Sequence, residues 1–177
     1  EMRQPIGEEK SLQIEYEPPR LRVIEHIRPK YACRRCEGQF TIAEMPLQPI
    51  QRGLAGPGLL AHIITSKYGD HLPLYRQEDI LSRHGIEIPR STMWGWMGAC
   101  ANLLNPLYQL MKSEVLASKV IPTDDTPVPV LEPGRGKTRQ GRIWTYVGDS
   151  DHPCTVFDYT PTRSRDGPAS FFGDYAG

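Results

Sequence analysis

Apolar and polar positions repeat with two different periods along this chain, and the changes of period divide it into three parts. In the first part, LQIEYEP and LRVIEHIRPKYAC alternate apolar and polar residues on either side of Pro18-Pro19, which predicts a short strand hairpin leading into Cys33 and Cys36. The alternation in the second run is imperfect, with Leu21, Val23 and Tyr31 on one parity and Ile24 and His26 on the other. From Met45 to Gly58, three Pro and three Gly fall within fourteen residues, the composition of a linker.

The period then lengthens to that of a helix. Gly58 to Tyr68 carries Leu59, Leu60, Ile63, Ile64 and Lys67 at helical spacing, with Gly69 placed to stop it. Leu74 to His84 sets Leu74, Ile80 and Leu81 on one face and ends at Gly85 in the same way. A third pattern starts near Pro89-Arg90-Ser91. Its stripe holds Met93, Trp96, Met97, Cys100, Leu103, Leu104, Leu107, Leu110 and Met111, long enough to demand a partner surface. Asn105-Pro106 interrupts it, which predicts two helical pieces nearly end to end. Beyond Lys119 the pattern returns to strands in VIPTDDTPVPVL, GRIWTYVGDS and CTVFDYT, followed by a short helix near Asp166 and Pro168.

Composition narrows the function classes. The 177 residues carry 21 Lys+Arg against 21 Asp+Glu, so any attraction to nucleic acid must come from local clustering. No apolar run approaches the ~20 residues of a membrane span, and the polar start EMRQPIGEEK lacks the core of a signal peptide. Both predict a cytoplasmic protein. The first and last residues read like cuts in something longer, and a fragment is expected.

Four local features could carry chemistry. Cys33-Arg34-Arg35-Cys36 is a C-x-x-C between strands, able to fill two corners of a tetrahedral zinc site but only half of it. His26 is one nearby residue where a pair is needed, and Cys100 and Cys154 lie in a helix stripe and a distant strand. An incomplete zinc knuckle, two plain reduced cysteines and a redox pair all remain open, although the βαβ setting of a redox motif is missing. From Arg20 to Cys36, six basic residues (Arg20, Arg22, Arg28, Lys30, Arg34 and Arg35) face Glu25 alone, which suits phosphate contact or a solvated face equally.

The stretch LPLYRQEDILSRHGIEIPRSTMWGWMGAC has the form of a helix-turn-helix, whose second helix would offer Arg90, Ser91, Thr92 and Gly95 to a DNA groove. A hairpin that only packs is the alternative. Trp94 and Trp96 cannot both face one core stripe, so one is left for a partner or another domain. In IPTDDTPVPVL, Asp124 and Asp125 on a strand point to opposite faces, so only one can serve a given site. Pro127 and Pro129 share a parity, which puts both missing N–H groups on one edge and leaves the other edge to pair. An Asp on a rigid strand suits a divalent cation, though Asp-Asp before Thr-Pro is more commonly a turn or cap. Arg135, Lys137, Arg139 and Arg142 crowd a Gly-rich stretch that does not match a G-x-x-x-x-G-K phosphate loop, and it reads as a mobile basic hairpin tip.

Taken together and in order, RPKYACRRC, KYGDHLPLYRQEDILSRHGIEIPRSTMWGWM, TDDTPVPVLEPGRGKTRQGRIWTYVGD and VFDYTPTRSRDGPASFF resemble the transposases of the IS-sixty-six family of bacterial insertion sequences. The resemblance covers nearly the whole chain. It implies a four-cysteine zinc module, a helical DNA-binding region and an RNase H-like catalytic domain of the DDE type. By resemblance, Asp124 is the first catalytic carboxylate, and Asp125 stands where the family usually has Glu. Cys33 and Cys36 match the second zinc pair, with the first pair before Glu1. The second catalytic Asp and final Glu would lie beyond Gly177, and Asp174 is neither.

The resulting expectation is a multi-part α+β chain. Residues 1–50 would form a partial zinc-binding hairpin, 51–117 a helix-turn-helix-like DNA-binding region, and 118–177 the start of an incomplete RNase H-like domain. The resemblance implies Mg²⁺ in the complete protein, Zn²⁺ at a half-site, DNA as partner, an oligomeric complete transposase, a nucleoid location and no membrane. The fragment itself would be inactive, with an open sheet edge prone to aggregation. The rival reading is a non-enzymatic DNA-binding or transposition-accessory module.

Overall fold

The structure, a computed structural model, describes residues 13–14, 20–32, 40–132, 134 and 136–175. It is a mixed helix and sheet protein, as the α+β expectation has it. In chain order the elements are β1 (Lys30–Ala32), β2 (Phe40–Ile42), α1 (Pro57–Tyr68), α2 (Leu74–Arg83), α3 (Arg90–Leu116), β3 (Thr123–Val130), β4 (Arg139–Val147), β5 (Thr155–Thr160) and α4 (Asp166–Phe172).

The N-terminal hairpin differs from expectation. Residues 20–29 form no strand; β1 pairs antiparallel with β2, Tyr31 opposite Thr41, across the segment that holds Cys33 and Cys36. Imperfect alternation explains this, because apolar residues on both parities leave no single face to bury. Cys33, Arg34, Arg35 and Cys36 themselves lie outside the described residues, as does Arg135.

The helices follow their punctuation. Pro57 opens α1, where the missing N–H costs nothing, and Gly85 at φ 77 takes the left-handed position after α2. Gly69 also closes α1, but in right-handed geometry. Leu60 and Ile63 of α1, Leu81 of α2, and Met93, Trp96 and Cys100 of α3 form one core with Ala55 and Ile88. Each large side chain buried there contributes about 1.5–3 kcal/mol. Gln77 ties the layers by donating from Nε2 to the carbonyl oxygens of Ile63 and Leu72, at 3.3 and 3.0 Å. Trp96 is buried and Trp94 is exposed, so the two tryptophans divide as the helical period requires.

α3 is a single helix of 27 residues with Pro106 inside it, not two pieces. Proline there removes the bond to the carbonyl of Asn102, but Asn102 and Pro106 both face solvent, where water can hydrate the freed oxygen. Asn105 does not cap a new helix; its Oδ1 accepts from Gln109 Nε2 at 3.3 Å. The helix survives because its two ends are anchored in different cores. Tyr108, Met111 and Val115 join Tyr146, Val156 and Phe171 in the second core. Between the two anchors the predicted stripe is bare: Leu103, Leu104, Leu107 and Leu110 are exposed.

The second sheet has the order β3-β4-β5, antiparallel throughout. Its register puts Asp125, Trp144 and Asp158 in one cross-strand row and Asp124, Thr145 and Phe157 in the next. Successive rows point to opposite faces. Tyr146 and Val156 therefore face the helices, and Asp124 shares the other face with Ile143, Phe157 and Tyr159.

Candidate functional site

The chain reaches β3 through a locked junction at the end of α3. Asp149, in the turn after β4, accepts the Lys119 N–H at Oδ2 (2.9 Å) and the N–H groups of Asp151 and His152 at Oδ1 (3.1 Å each). His152 Nδ1 lies 3.0 Å from the same Oδ1, and the Asp149 N–H donates to Ser118 Oγ at 3.1 Å. The bond from the Lys119 N–H, and then the His152 side chain, hold the Asp149 carboxyl below its ordinary value. Tyr175 closes the junction by donating its hydroxyl to the Ser118 carbonyl at 2.8 Å. Sequence reasoning saw only a turn at Asp149 to Pro153; its role as a hub depends on Ser118, 31 residues away.

From that junction β3 carries Asp124 and Asp125 outward, inside the strand and not at a turn. Opposite facing is realised, with unequal consequences. The Asp125 side chain is only 6% exposed and is gripped at both oxygens. Arg142 Nη1 donates to Oδ2 at 2.9 Å, while Arg163 Nε and Nη2 both reach Oδ1 at 3.1 Å. Asp124 is exposed. Its Oδ1 accepts the Asp125 N–H at 2.8 Å, and among the described residues its other oxygen has no partner. Asp125 shares its parity with Pro127 and Pro129, on the edge away from β4, so β3 pairs with β4 by the edge that carries N–H groups, as the proline spacing predicts.

The basic candidates are scattered. Arg28 donates Nε to the Ala43 carbonyl at 2.6 Å, tying the segment before β1 to the chain after β2, while Lys30 is exposed. Arg90, Ser91 and Thr92 sit exposed on the first turn of α3, and the Arg90 N–H donates to Glu78 Oε1 at 3.2 Å. Lys137 is exposed in the turn before β4. The hairpin tip is shorter than read from sequence, because Arg139 and Arg142 belong to β4. Arg139 lies 3.9 Å from Glu132, and Arg142 is committed to Asp125. Arg163, a partner of Asp125, was not singled out from sequence at all; nothing local marks a bond spanning 38 residues.

Metal ligands are sparse. Among the described residues no three His, Cys, Asp or Glu side chains gather in a way that could hold an ion. Cys100 is buried in the first core and Cys154 half-buried against the second, far from any such role.

Comparison with known sequences decides the family. The model of "Transposase IS66 family" matches residues 52–177, and that of "zinc-finger binding domain of transposase IS66" matches residues 2–37. This chain belongs to the IS66 transposase family. The zinc-finger match points to zinc in the N-terminal segment that contains Cys33 and Cys36. Relatives from Sinorhizobium fredii include the uncharacterized protein y4qI, 37% identical over 97% of this chain and 33% of its own length. The uncharacterized protein y4jD is 38% identical over 84% of this chain and 29% of its own. The chain thus spans about a third of the length of these relatives. No solved structure matches. Among the described residues no helix is long and apolar enough to cross a membrane.

Proposed function

We propose that this chain is part of a DNA transposase that cuts and joins strands by phosphoryl transfer, with Asp124 as one oxygen donor to the catalytic divalent cations. The observation that supports it most is the contrast between the two adjacent carboxylates: the Asp125 side chain is buried and ion-paired, and Asp124 stands exposed on a paired strand with one oxygen that has no partner among the described residues. The family membership supports the reaction class. Three antiparallel strands followed by a helix, with β3 unpaired on its far edge among the described residues, is also how an RNase H-like sheet would begin.

The donor chemistry fits Mg²⁺, a hard cation that takes carboxylate oxygen, but Asp124 supplies one donor, and among the described residues no three His, Cys, Asp or Glu side chains gather that could hold an ion. Bound cations would neutralise charge on the attacking and leaving oxygens of an in-line displacement. The chain's own residues do the rest of what can be derived. β3 and β4 hold Asp124 in place, and on the opposite face of the sheet the arginines take up the charge of Asp125. A cation there would require further ligands beyond those that the described residues bring together. Zinc at Cys33 and Cys36 would likewise need two further ligands.

Residues 1–50 would serve as the zinc-binding hairpin, 51–117 as the DNA-binding region, with α2, the turn at Gly85 and α3 as its helix-turn-helix, and 118–177 as the start of the catalytic domain. Exposed Lys30, Arg90, Ser91, Thr92 and Lys137 are the phosphate contacts this reading favours. The complete protein would act as an oligomer on element ends and target DNA, in the bacterial cytoplasm at the nucleoid.

The test is a DNA nicking assay on a protein of the relatives' length that carries this segment. Mg²⁺-dependent nicking lost in Asp124→Ala supports the reading. Nicking that persists in Asp124→Ala refutes it. Salt-dependent DNA binding with no nicking in either protein favours a binding or accessory module.

A further inference from the structure

Midway along α3 the helix is bare. Residues 101–107 are exposed on every side of it, and Leu103, Leu104, Leu107 and Leu110 are between 50% and 58% exposed. At spacings of three and four, these leucines continue the face that Trp96 and Cys100 present to the first core, and they stop where Met111 and Val115 enter the second. Single exposed leucines are ordinary on a protein surface, but four in one stripe make a patch of a few hundred Å², the scale that marks an interaction surface. The stretch from residue 101 to residue 110 is about 15 Å long, which leaves room for one helix of about 10 Å diameter to cross it.

We propose that this stripe is a self-association surface, on which the α3 of a second copy of this chain crosses in the antiparallel sense. Two properties single out a second copy. The apolar positions are symmetric about Leu107: Leu104 and Leu110 lie three residues to either side, Leu103 and the half-buried Met111 four. A two-fold axis at Leu107 therefore sets Leu107 against its counterpart, Leu104 against Leu110 and Leu103 against Met111, each contact made from both copies, as a closed two-fold interface requires. Side chains three and four apart also form the ridges and grooves by which crossing helices interlock. The second property is charge. Between Arg90 and Lys112 no residue is charged, so two copies meet here without like-charge repulsion, whereas a charged partner would find no ion pair on the stripe. The patch is smaller than a standard interface, so the association is weak, with a dissociation constant of about 10–100 µM. The surface would serve the oligomer proposed above, and it stands on α3 alone, not on Asp124.

The test is sedimentation velocity of the 177-residue chain from about 1 µM to about 1 mM, a range that brackets that constant. The mass should double across it. Leu107→Glu sets two carboxylates face to face at the axis and should weaken dimerisation at least about 10-fold. Its helix content should stay unchanged, because Leu107 is half exposed. Asn105→Glu, on the opposite side of α3, should leave the dimer intact. Leu104→Glu and Leu110→Lys should each weaken self-association, and mixing the two variants should restore a dimer, because the antiparallel register brings the introduced carboxylate against the introduced ammonium. A chain that stays monomeric throughout, or dimerisation that survives Leu107→Glu, overturns the proposal. Variants that fail to associate on mixing, while Leu107→Glu abolishes dimerisation, overturn the antiparallel register. If the chain is monomeric and Leu107→Glu destabilises a protein of the relatives' length, other segments of that protein cover the stripe, which overturns a second copy as its occupant. None of these results bears on nicking or on Asp124.

Discussion

The ring of Tyr146 lies flat against that of Phe171, with centroids 3.6 Å apart and planes 2° from parallel. This contact fastens α4 to the C-terminal end of β4, and Phe172 adds an edge contact to Tyr146 at 5.5 Å. Lys112 of α3 sits 4.5 Å over the other partner, Phe171, so strand, short helix and long helix meet at one ring. A helix of seven residues has little stability of its own. Phe171→Ala should therefore cost about 3–5 kcal/mol in urea unfolding and release α4, seen as loss of hydrogen-exchange protection from Asp166 to Phe172.

The Tyr146 hydroxyl makes the opposite prediction. It is buried, has no hydrogen-bond partner among the described residues, and is pushed up to about 12 by burial and then by the charge of Asp158. A buried hydroxyl without a partner costs stability that a hydrogen atom does not. Tyr146→Phe should keep the stack and raise stability by about 1 kcal/mol in the same unfolding experiment. A loss of that size would mean the hydroxyl has a partner in solution.

Two glycines should respond unequally to a methyl group. A Cβ on Gly148 would fall on the carbonyl oxygen of His152, backbone that the Asp149 hub holds in place. A Cβ on Gly141 would meet only the outer end of the Tyr159 ring, a half-exposed side chain free to swing away. Gly148→Ala should cost at least about 2 kcal/mol and Gly141→Ala less than about 1 kcal/mol. Equal costs would contradict the account of the junction.

Asp149 gives the junction a pH dependence of definite sign. Its folded value lies below the ordinary 3.8, so the folded chain holds the charged form more tightly than the unfolded chain does. The stabilisation is complete above the ordinary value and is lost as pH falls through the depressed one. The melting temperature of the unaltered chain should exceed that of Asp149→Asn by a constant margin near neutral pH, and the margin should shrink only below about pH 4. A margin that grows on acidification would be the wrong sign.

Pro106 in the middle of α3 should be a net cost. Replacing it with Ala restores the N–H that the carbonyl of Asn102 lacks and removes the ring from the preceding turn. Pro106→Ala should stabilise by about 1–3 kcal/mol, with a small gain in helical circular dichroism. Destabilisation would instead indicate a bend on which the two cores depend.

Much of the architecture was written in local patterns. Helical stripes, Pro57 and Gly85 located α1 and α2, and period-two runs located β3, β4 and β5. The Asp124-Asp125 alternation showed that the two carboxylates must part company, since neighbouring strand residues face opposite ways whatever the fold. These features depend on residues a few positions apart, where backbone geometry alone sets direction. Three things depended on distant partners. Whether Asn105-Pro106 would break α3 was decided by cores at both of its ends, and whether residues 20–29 would pair was decided by Phe40–Ile42 capturing Lys30–Ala32 instead. Which aspartate would remain free was decided by Arg142 and Arg163, which converge on Asp125 only when the sheet has formed. A pairwise ion contact leaves no trace in the spacing of either residue, and the strands that bring these charges together had to be placed first.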